Sequence, residues 1–157
     1  MLGGAESNRE YYNSLLELAK GDSRIIFTGY VYGQEIQELY SNSYIFALPS
    51  NLEGMANTLL EAMSYGNCCL VSNIPENTEV VNDRAVWFEK GNDKDLENKL
   101  QSLLKNEELV YKYKSEASSY ILRRYSWDLV VDQMLRIYSG DVVDYNTVLQ
   151  ESEEQLI

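Results

Sequence analysis

Short apolar runs alternate along this chain with segments of helical periodicity, and this alternation limits the fold more than any other feature of the sequence. Strands are predicted at the apolar runs 24–28, 44–48, 68–71 and 85–88. Helices are predicted at 6–20, 33–42, 57–65, near 77–81, and at 93–105, 107–124 and 126–138. Because the runs are almost continuously apolar, the strands should be buried on both faces. The pattern therefore predicts a parallel α/β sheet covered by helices.

Two helix boundaries carry specific signals. Gly66 follows the helix predicted at 57–65 in the position of a C-cap glycine. Ser126 is predicted to be the N-cap of the last helix, and Trp127 is predicted to pack inward.

The size and charge of the chain narrow its class and partners. A chain of 157 residues supports one domain with a single core. The net charge of -12 disfavours nucleic acid and anionic membranes as direct partners, but backbone dipoles can still bind a small anion. No apolar run approaches the roughly 20 residues that span a bilayer, and residues 1–4 do not resemble a signal peptide. We therefore expect a cytoplasmic protein.

Histidine and cysteine usage restricts the chemistry. The chain contains no histidine, which removes the commonest general base and the commonest zinc ligand. Cys68 and Cys69 are adjacent in an apolar run, and we expect two buried thiols without a disulfide. Any reaction must therefore use carboxylates, hydroxyls and backbone groups, or residues of another domain.

The start of the chain predicts an incomplete sheet. Gly3-Gly4 is typical of the loop that follows a first strand, and that strand is usually central in a doubly wound sheet. The sheet is therefore expected to lack its first βα unit, with a gap between the strands at 24–28 and 44–47. An open edge of this kind would allow a homo-oligomer to form by strand pairing.

The segment from Leu48 to Val71 has the features of a ligand site. A strand is predicted to end at Leu48 and a helix to begin near Asn57-Thr58, and ligands of α/β proteins lie where such loops meet helix starts. The free N–H groups of a first helical turn attract anions, above all phosphate. Gly54 would let a ligand approach the backbone closely.

Two carboxylates lie on either side of this helix start. Glu53 is predicted on the loop and Glu61 inside the helix. A carboxylate can accept two hydrogen bonds from a vicinal diol of a sugar or a ribose. Phosphate in the middle and polyols at both ends describe a nucleotide-diphosphate sugar.

The segment from Glu53 to Gly66 resembles the E-x7-E signature of glycosyltransferase family 4, the "glycosyl transferases group 1" set. The surrounding P-S-x-x-E-G and L-L-E-A-M-x-x-G make this resemblance specific. It extends to F-T-G-Y-V at 27–31, L-Y at 39–40, V-S-N-I-P at 71–75 and Y-S-W-D at 125–128. Together these cover roughly residues 3–138.

The resemblance implies a fold and a function. The fold would be a Rossmann-like doubly wound parallel sheet, the C-terminal domain of the GT-B fold, over residues 1–139, with an acidic tail at 140–157. The function would be donor binding in a retaining glycosyltransferase that moves a sugar to a glycan or lipid-linked acceptor. No cofactor or obligatory metal is implied, because the nucleotide-diphosphate sugar is the substrate.

The resemblance also implies roles for individual residues. Glu53 would contact the transferred sugar and support the developing positive charge, and Glu61 would hold the ribose diol. The remaining donor-binding residues would be Gly54, Met55, Ala56 and Asn57 through backbone N–H groups, Thr58 beside the diphosphate, and Gly29 and Tyr30 beside the base.

This sequence departs from the family pattern in two respects. Members often carry an aromatic residue and a proline where this chain has Met55-Ala56. The basic pair that neutralises the diphosphate and the N-terminal acceptor domain would both lie upstream of this chain. We therefore expect that the partner of this chain is that acceptor domain, and that the isolated chain is inactive.

Three alternatives stay open at this point. The first concerns one residue: Thr58 would act only as a helix cap. The other two concern the whole chain, which would be a non-catalytic nucleotide-binding module or the domain of a GT-B nucleotide-sugar 2-epimerase.

Overall fold

The computed structural model describes residues 9–140, and the chain divides between Leu39 and Tyr40 into two units. The strands are β1 (Phe46–Leu48), β2 (Cys69–Ser72) and β3 (Val86–Phe88). The helices are α1 (Arg9–Leu18), α2 (Gly33–Asn42), α3 (Asn57–Ser64), α4 (Pro75–Val81), α5 (Asp93–Lys105), α6 (Glu107–Tyr125) and α7 (Trp127–Tyr138). Most predicted elements are therefore confirmed to within a few residues.

The strand predicted at 24–28 is wrong, because residues 25–28 of the first unit have no regular secondary structure. The backbone N–H of Arg24 donates to the Asp22 carboxylate, and the Arg24 guanidinium pairs with the same carboxylate. This local turn competes with strand pairing at the start of the run. Ile25 and Ile26 keep 51% and 71% of their surface exposed, so the run is apolar but not buried.

The second unit contains the parallel sheet that the sequence predicts. Its strand order is β1-β2-β3, with Ala47 opposite Leu70 and Val71 opposite Trp87. All four residues of β2 are buried, as expected for a strand covered on both faces. Within residues 9–140, β1 pairs only with β2, and homo-oligomer formation through its other edge stays a prediction.

Helices α3, α4 and α6 complete the core around β2. Helices α3 and α4 both contact β2, while α6 packs against α3 and α5. The centre of the core is a cluster of side chains from β2 and the residue before it, from β3, and from α5 and α6, namely Cys68, Leu70, Phe88, Leu103 and Val110.

Both cysteines are buried and free, as predicted. Burial raises the pKa of the Cys68 thiol to about 11, and it also raises the pKa of Cys69. Because the thiolate is the reactive form, neither side chain is suited to nucleophilic chemistry at neutral pH.

The two predicted helix boundaries are confirmed, but one packing prediction is wrong. Gly66 has a φ of 72° and ends α3, and the Ser126 hydroxyl accepts a hydrogen bond from the Leu129 N–H at the start of α7. Trp127 was expected to pack inward, yet 82% of its surface is exposed. Within the described part of the chain, helix α7 has no buried residues, so the Trp127 indole is not part of a buried core.

No helix within residues 9–140 is both long enough and apolar enough to cross a membrane. The cytoplasmic location and the domain boundary at residue 139 stay predictions.

Replacing Gly66 with alanine should lower the free energy of unfolding by about 1–2 kcal/mol, because a Cβ strains the left-handed backbone. The added Cβ would also lie 3.4 Å from the backbone oxygen of Lys114. Urea unfolding measures this difference. Gly54→Ala is the matched control, because its Cβ would meet no atom within 4 Å and should leave stability unchanged. Equal stability of the two variants would contradict the left-handed conformation assigned to Gly66 at the end of α3.

Candidate functional site

The loop at the carboxyl end of β1 leads directly into α3. Strand β1 ends at Leu48 and α3 begins at Asn57, so residues 49–56 form the loop that the sequence predicts. In a parallel α/β sheet, loops at this end of the strands carry the ligand site. The fold therefore places this loop where a ligand is expected.

The start of α3 has no side-chain cap. Its N-cap residue is the buried Ala56, whose carbonyl oxygen accepts from the N–H groups of Leu59 and Leu60. Alanine has no side-chain acceptor for the first N–H groups of the helix. Thr58 is the second helical residue and is exposed, so the alternative in which Thr58 caps the helix is wrong. The first turn thus keeps its positive polarity toward solvent or a ligand.

Glu53 is half-buried on the loop that precedes α3. Its Oε1 accepts a hydrogen bond from the Ser50 hydroxyl, which fixes the carboxylate against the start of the loop. A carboxylate can accept several further hydrogen bonds, so Glu53 can still bind a ligand hydroxyl.

Residues 54–57 connect Glu53 to the helix. Gly54, Met55 and Asn57 are exposed, whereas Ala56 is buried. A Cβ on Gly54 would meet no other atom within 4 Å, so packing does not require glycine at this position. Open space beside this backbone is consistent with the predicted close approach of a ligand.

Glu61 lies in the middle of α3 and is exposed, but its carboxylate has a buried partner. The Tyr40 hydroxyl donates to Oε2 of Glu61 at 3.2 Å, while only 3% of the Tyr40 surface is exposed. The Tyr40 ring stacks on Tyr65 with 5.6 Å between centroids and lies 5.8 Å from Phe46. The buried Asn67 amide donates to the Tyr40 carbonyl at 2.9 Å. Glu61 is therefore held by a rigid aromatic side chain.

Gly29 and Tyr30 belong to the first unit. Gly29 has a φ of 65°, which favours glycine, and Tyr30 is exposed and stacks on Tyr32 with 6.1 Å between ring centroids. Their predicted place beside the nucleotide base stays a prediction.

Sequence reasoning missed the residues that hold the two carboxylates. Tyr40 and Ser50 donate to Glu61 and Glu53, and neither was assigned a role. The only available signal was their presence in the segments that resemble the family, L-Y at 39–40 and P-S at 49–50.

The fold is the Rossmann-like α/β fold of GT-B glycosyltransferases, with a three-stranded parallel sheet in the described residues. The sequence profile described as "Glycosyl transferases group 1" matches residues 1–120. This chain belongs to the glycosyl transferases group 1 family.

One relative and two solved structures illustrate the similarity. The chain is 31% identical over 106 residues to the N,N'-diacetylbacillosaminyl-diphospho-undecaprenol alpha-1,3-N-acetylgalactosaminyltransferase of Campylobacter jejuni, which covers 66% of this chain and 28% of that protein. A glycosyltransferase from Rickettsia africae superposes with a TM-score of 0.77 at 22% identity, over 95% of this chain and 39% of that one. Anabaena HepE in complex with UDP-glucose superposes with a TM-score of 0.71 at 18% identity, over 99% of this chain and 39% of that one. This chain thus spans about a third of each protein's length.

Ionisation of Tyr40 should make the stability of the second unit depend on pH. Burial and then the Glu61 charge raise the pKa of Tyr40 to about 12, whereas an unfolded tyrosine titrates near pH 10. Between these values the unfolded state loses the proton first, so the free energy of unfolding should fall as pH rises.

Tyr40→Phe removes this contribution, so the variant should lose stability less steeply than the wild type between about pH 10 and pH 12. Urea unfolding across that range measures the two slopes. Tyr111→Phe, which removes an exposed hydroxyl, is the control and should keep the wild-type slope. If the free energy of unfolding falls equally steeply with pH in the wild type and in Tyr40→Phe, the buried position of the Tyr40 hydroxyl is contradicted.

Proposed function

We propose that residues 48–61 form the donor site of a retaining glycosyltransferase that uses a nucleotide-diphosphate sugar. One observation carries the proposal: an uncapped helix start follows Glu53 and precedes Glu61 along the chain, and each carboxylate accepts a hydrogen bond from a hydroxyl, that of Ser50 in the same loop and that of the distant Tyr40. Membership of a family of glycosyl transferases supports it.

The start of α3 would bind the diphosphate. No side chain caps the first turn, although the Asn57 N–H donates to the Met55 carbonyl at 2.8 Å, and the helix dipole adds positive polarity at the same place. The resemblance to the family implies that this binding requires no obligatory metal. The UDP-glucose in the structure of Anabaena HepE is in keeping with a ligand of this kind.

Glu61 would bind the ribose diol of the nucleotide. The Tyr40 hydroxyl occupies one side of its carboxylate and restricts its rotation, while the exposed carboxylate keeps capacity for two diol hydrogens. Fixing the carboxylate before binding reduces the side-chain entropy that binding would otherwise cost.

Glu53 would bind the transferred sugar. Its half-buried carboxylate can accept sugar hydroxyls and stabilise positive charge that develops as the bond to the diphosphate breaks. Transfer would retain the configuration at the anomeric carbon. The acceptor would be a glycan or a lipid-linked sugar, which the diphospho-undecaprenol substrate in the name of the Campylobacter relative supports.

Titration of the chain with UDP, GDP and ADP, and with UDP-glucose, GDP-mannose and ADP-glucose, tests the donor site. We expect one nucleotide to bind best, and its sugar to bind more tightly than the nucleotide alone. Glu61→Gln should weaken both ligands of that pair by about tenfold, because charged hydrogen bonds to the ribose are lost. Glu53→Gln should weaken only the nucleotide sugar.

Glu79→Gln is the matched control, since it neutralises an exposed carboxylate of α4 that the proposal does not use. Absence of binding by all six ligands would refute the donor site. Binding of a nucleotide with no contribution from either Glu53 or Glu61 would favour the non-catalytic module instead.

The isolated chain should not sustain sugar transfer, because it spans about a third of its relatives and the acceptor site would be supplied by another domain. Incubation of the purified chain with a nucleotide sugar and a lipid-linked acceptor, followed by chromatography of the products, measures turnover. Robust transfer by these 157 residues alone would refute this part of the proposal.

A further inference from the structure

A line of hydrogen bonds runs from the buried Asn77 of helix α4 to the carboxylate of Glu53. The side-chain amide of Asn77 donates to the Ser72 hydroxyl at 3.2 Å. The Ser72 hydroxyl donates to the backbone carbonyl of Ser50, whose own hydroxyl donates to Glu53. Each residue in this line therefore restrains the next one.

The inner end of this line is fixed by the sheet. Ser72 is the last residue of β2, lies opposite Phe88 of β3, and has 1% of its surface exposed. Asn77 is fully buried and also donates to the Ser72 carbonyl at 3.3 Å. Hydrogen bonds in such a dry environment are stronger than at the surface, and donors that act in series polarise one another.

The outer end lies in a loop that has no regular structure of its own. Residues 49–56 contain no helix or strand, so the backbone ladder of the sheet stops at Leu48. The bond from Ser72 ties this loop to β2 just beyond the last paired residue of β1. Without that bond, Ser50 could move and carry the Glu53 carboxylate with it.

The buried amide of Asn77 indicates that this line does more than fill space. Its Oδ1 is buried and has no hydrogen-bond partner within residues 9–140. Leaving a buried acceptor unpaired destabilises the fold, so an apolar side chain would fill the space at lower cost. Such a cost is typical of positions where a donor must hold a functional group.

We propose that Ser72 is a positioning residue: by holding Ser50, it sets where the Glu53 carboxylate meets the donor sugar. Ser72 does not touch the substrate in this scheme, and the proposal rests on the donor site proposed above. Orienting groups must be held to within about half an ångström to act, and a second layer of hydrogen bonds commonly supplies that precision. Loss of Ser72 should therefore affect the sugar and not the nucleotide.

The ratio of affinities for a nucleotide and its sugar tests this role, because general damage to the fold would weaken both ligands alike. The chain is titrated with UDP and UDP-glucose, GDP and GDP-mannose, and ADP and ADP-glucose. For the pair that binds best, Ser72→Ala should reduce the preference for the sugar by about tenfold while affinity for the nucleotide is kept. Ser50→Ala should do the same, and Ser50→Thr, which keeps the hydroxyl, should restore the preference.

Ser43→Ala is the matched control. Ser43 precedes β1 at the opposite end of the strand, and its hydroxyl also donates to a backbone carbonyl, that of Ile45, at 3.0 Å. This variant should keep the wild-type preference. If Ser72→Ala does not fold, Ser72→Cys, which keeps a small side chain but a much weaker donor, tests the same bond and should also reduce the preference for the sugar.

The outcomes separate this inference from the function on which it rests. If Glu53→Gln abolishes the preference for the sugar but Ser72→Ala keeps it, the positioning role of Ser72 is overturned and the donor site stands, whatever Ser50→Ala does. If Glu53→Gln leaves the preference unchanged, or the wild type has none, the role of Glu53 is overturned together with this inference.

Discussion

Complete burial of β2 is the constraint on which the rest of the second unit depends. The strand lies between two parallel neighbours, and helices α3 and α4 contact it, so its four residues have almost no exposed surface. Burial of apolar side chains supplies most of the favourable free energy of folding. Because all three strands run in the same direction, their carboxyl ends meet at one edge of the sheet. The loop that carries Glu53 and the start of α4 are therefore neighbours by construction.

This arrangement explains how the two carboxylates of the candidate site, one exposed and one half-buried, are held in place. Neither Glu53 nor Glu61 lies in the core, but each accepts a hydrogen bond from a hydroxyl that the core holds. Tyr40 is locked by ring contacts, and Ser50 is tied to the end of β2. Hydrogen bonds to residues held by the core thus restrain both surface carboxylates. This restraint reduces the side-chain entropy that ligand binding would cost.

The elements that the sequence predicts well are those with local signals. The helices at 33–42 and 93–105 were predicted with their observed bounds, because their periodicity and end residues are local properties. The predicted strand at 24–28 is wrong because an apolar run forms a strand only where a neighbour pairs with it, and here Asp22 and Arg24 form a turn instead. Trp127 was wrongly expected to be buried for a similar reason, since burial requires a surface that the sequence does not show.

For the candidate site, too, the sequence predicts the features that depend on nearby residues and not those that depend on distant ones. The positions of Glu53, Gly54 and Glu61 around a helix start follow from residues that are close in the chain, and their resemblance to a family motif makes the segment recognisable. Their supporting residues do not follow, because Tyr40 and Ser72 lie far from their partners in sequence and meet them only after the sheet forms.

By itself, then, the sequence determined the class of fold, the family and the loop that carries the candidate site. Only the tertiary structure decided which hydroxyls hold the two carboxylates and which apolar residues stay exposed. The physical reason is that periodicity, caps and motifs are local, whereas hydrogen bonds and burial between distant residues depend on how the elements pack.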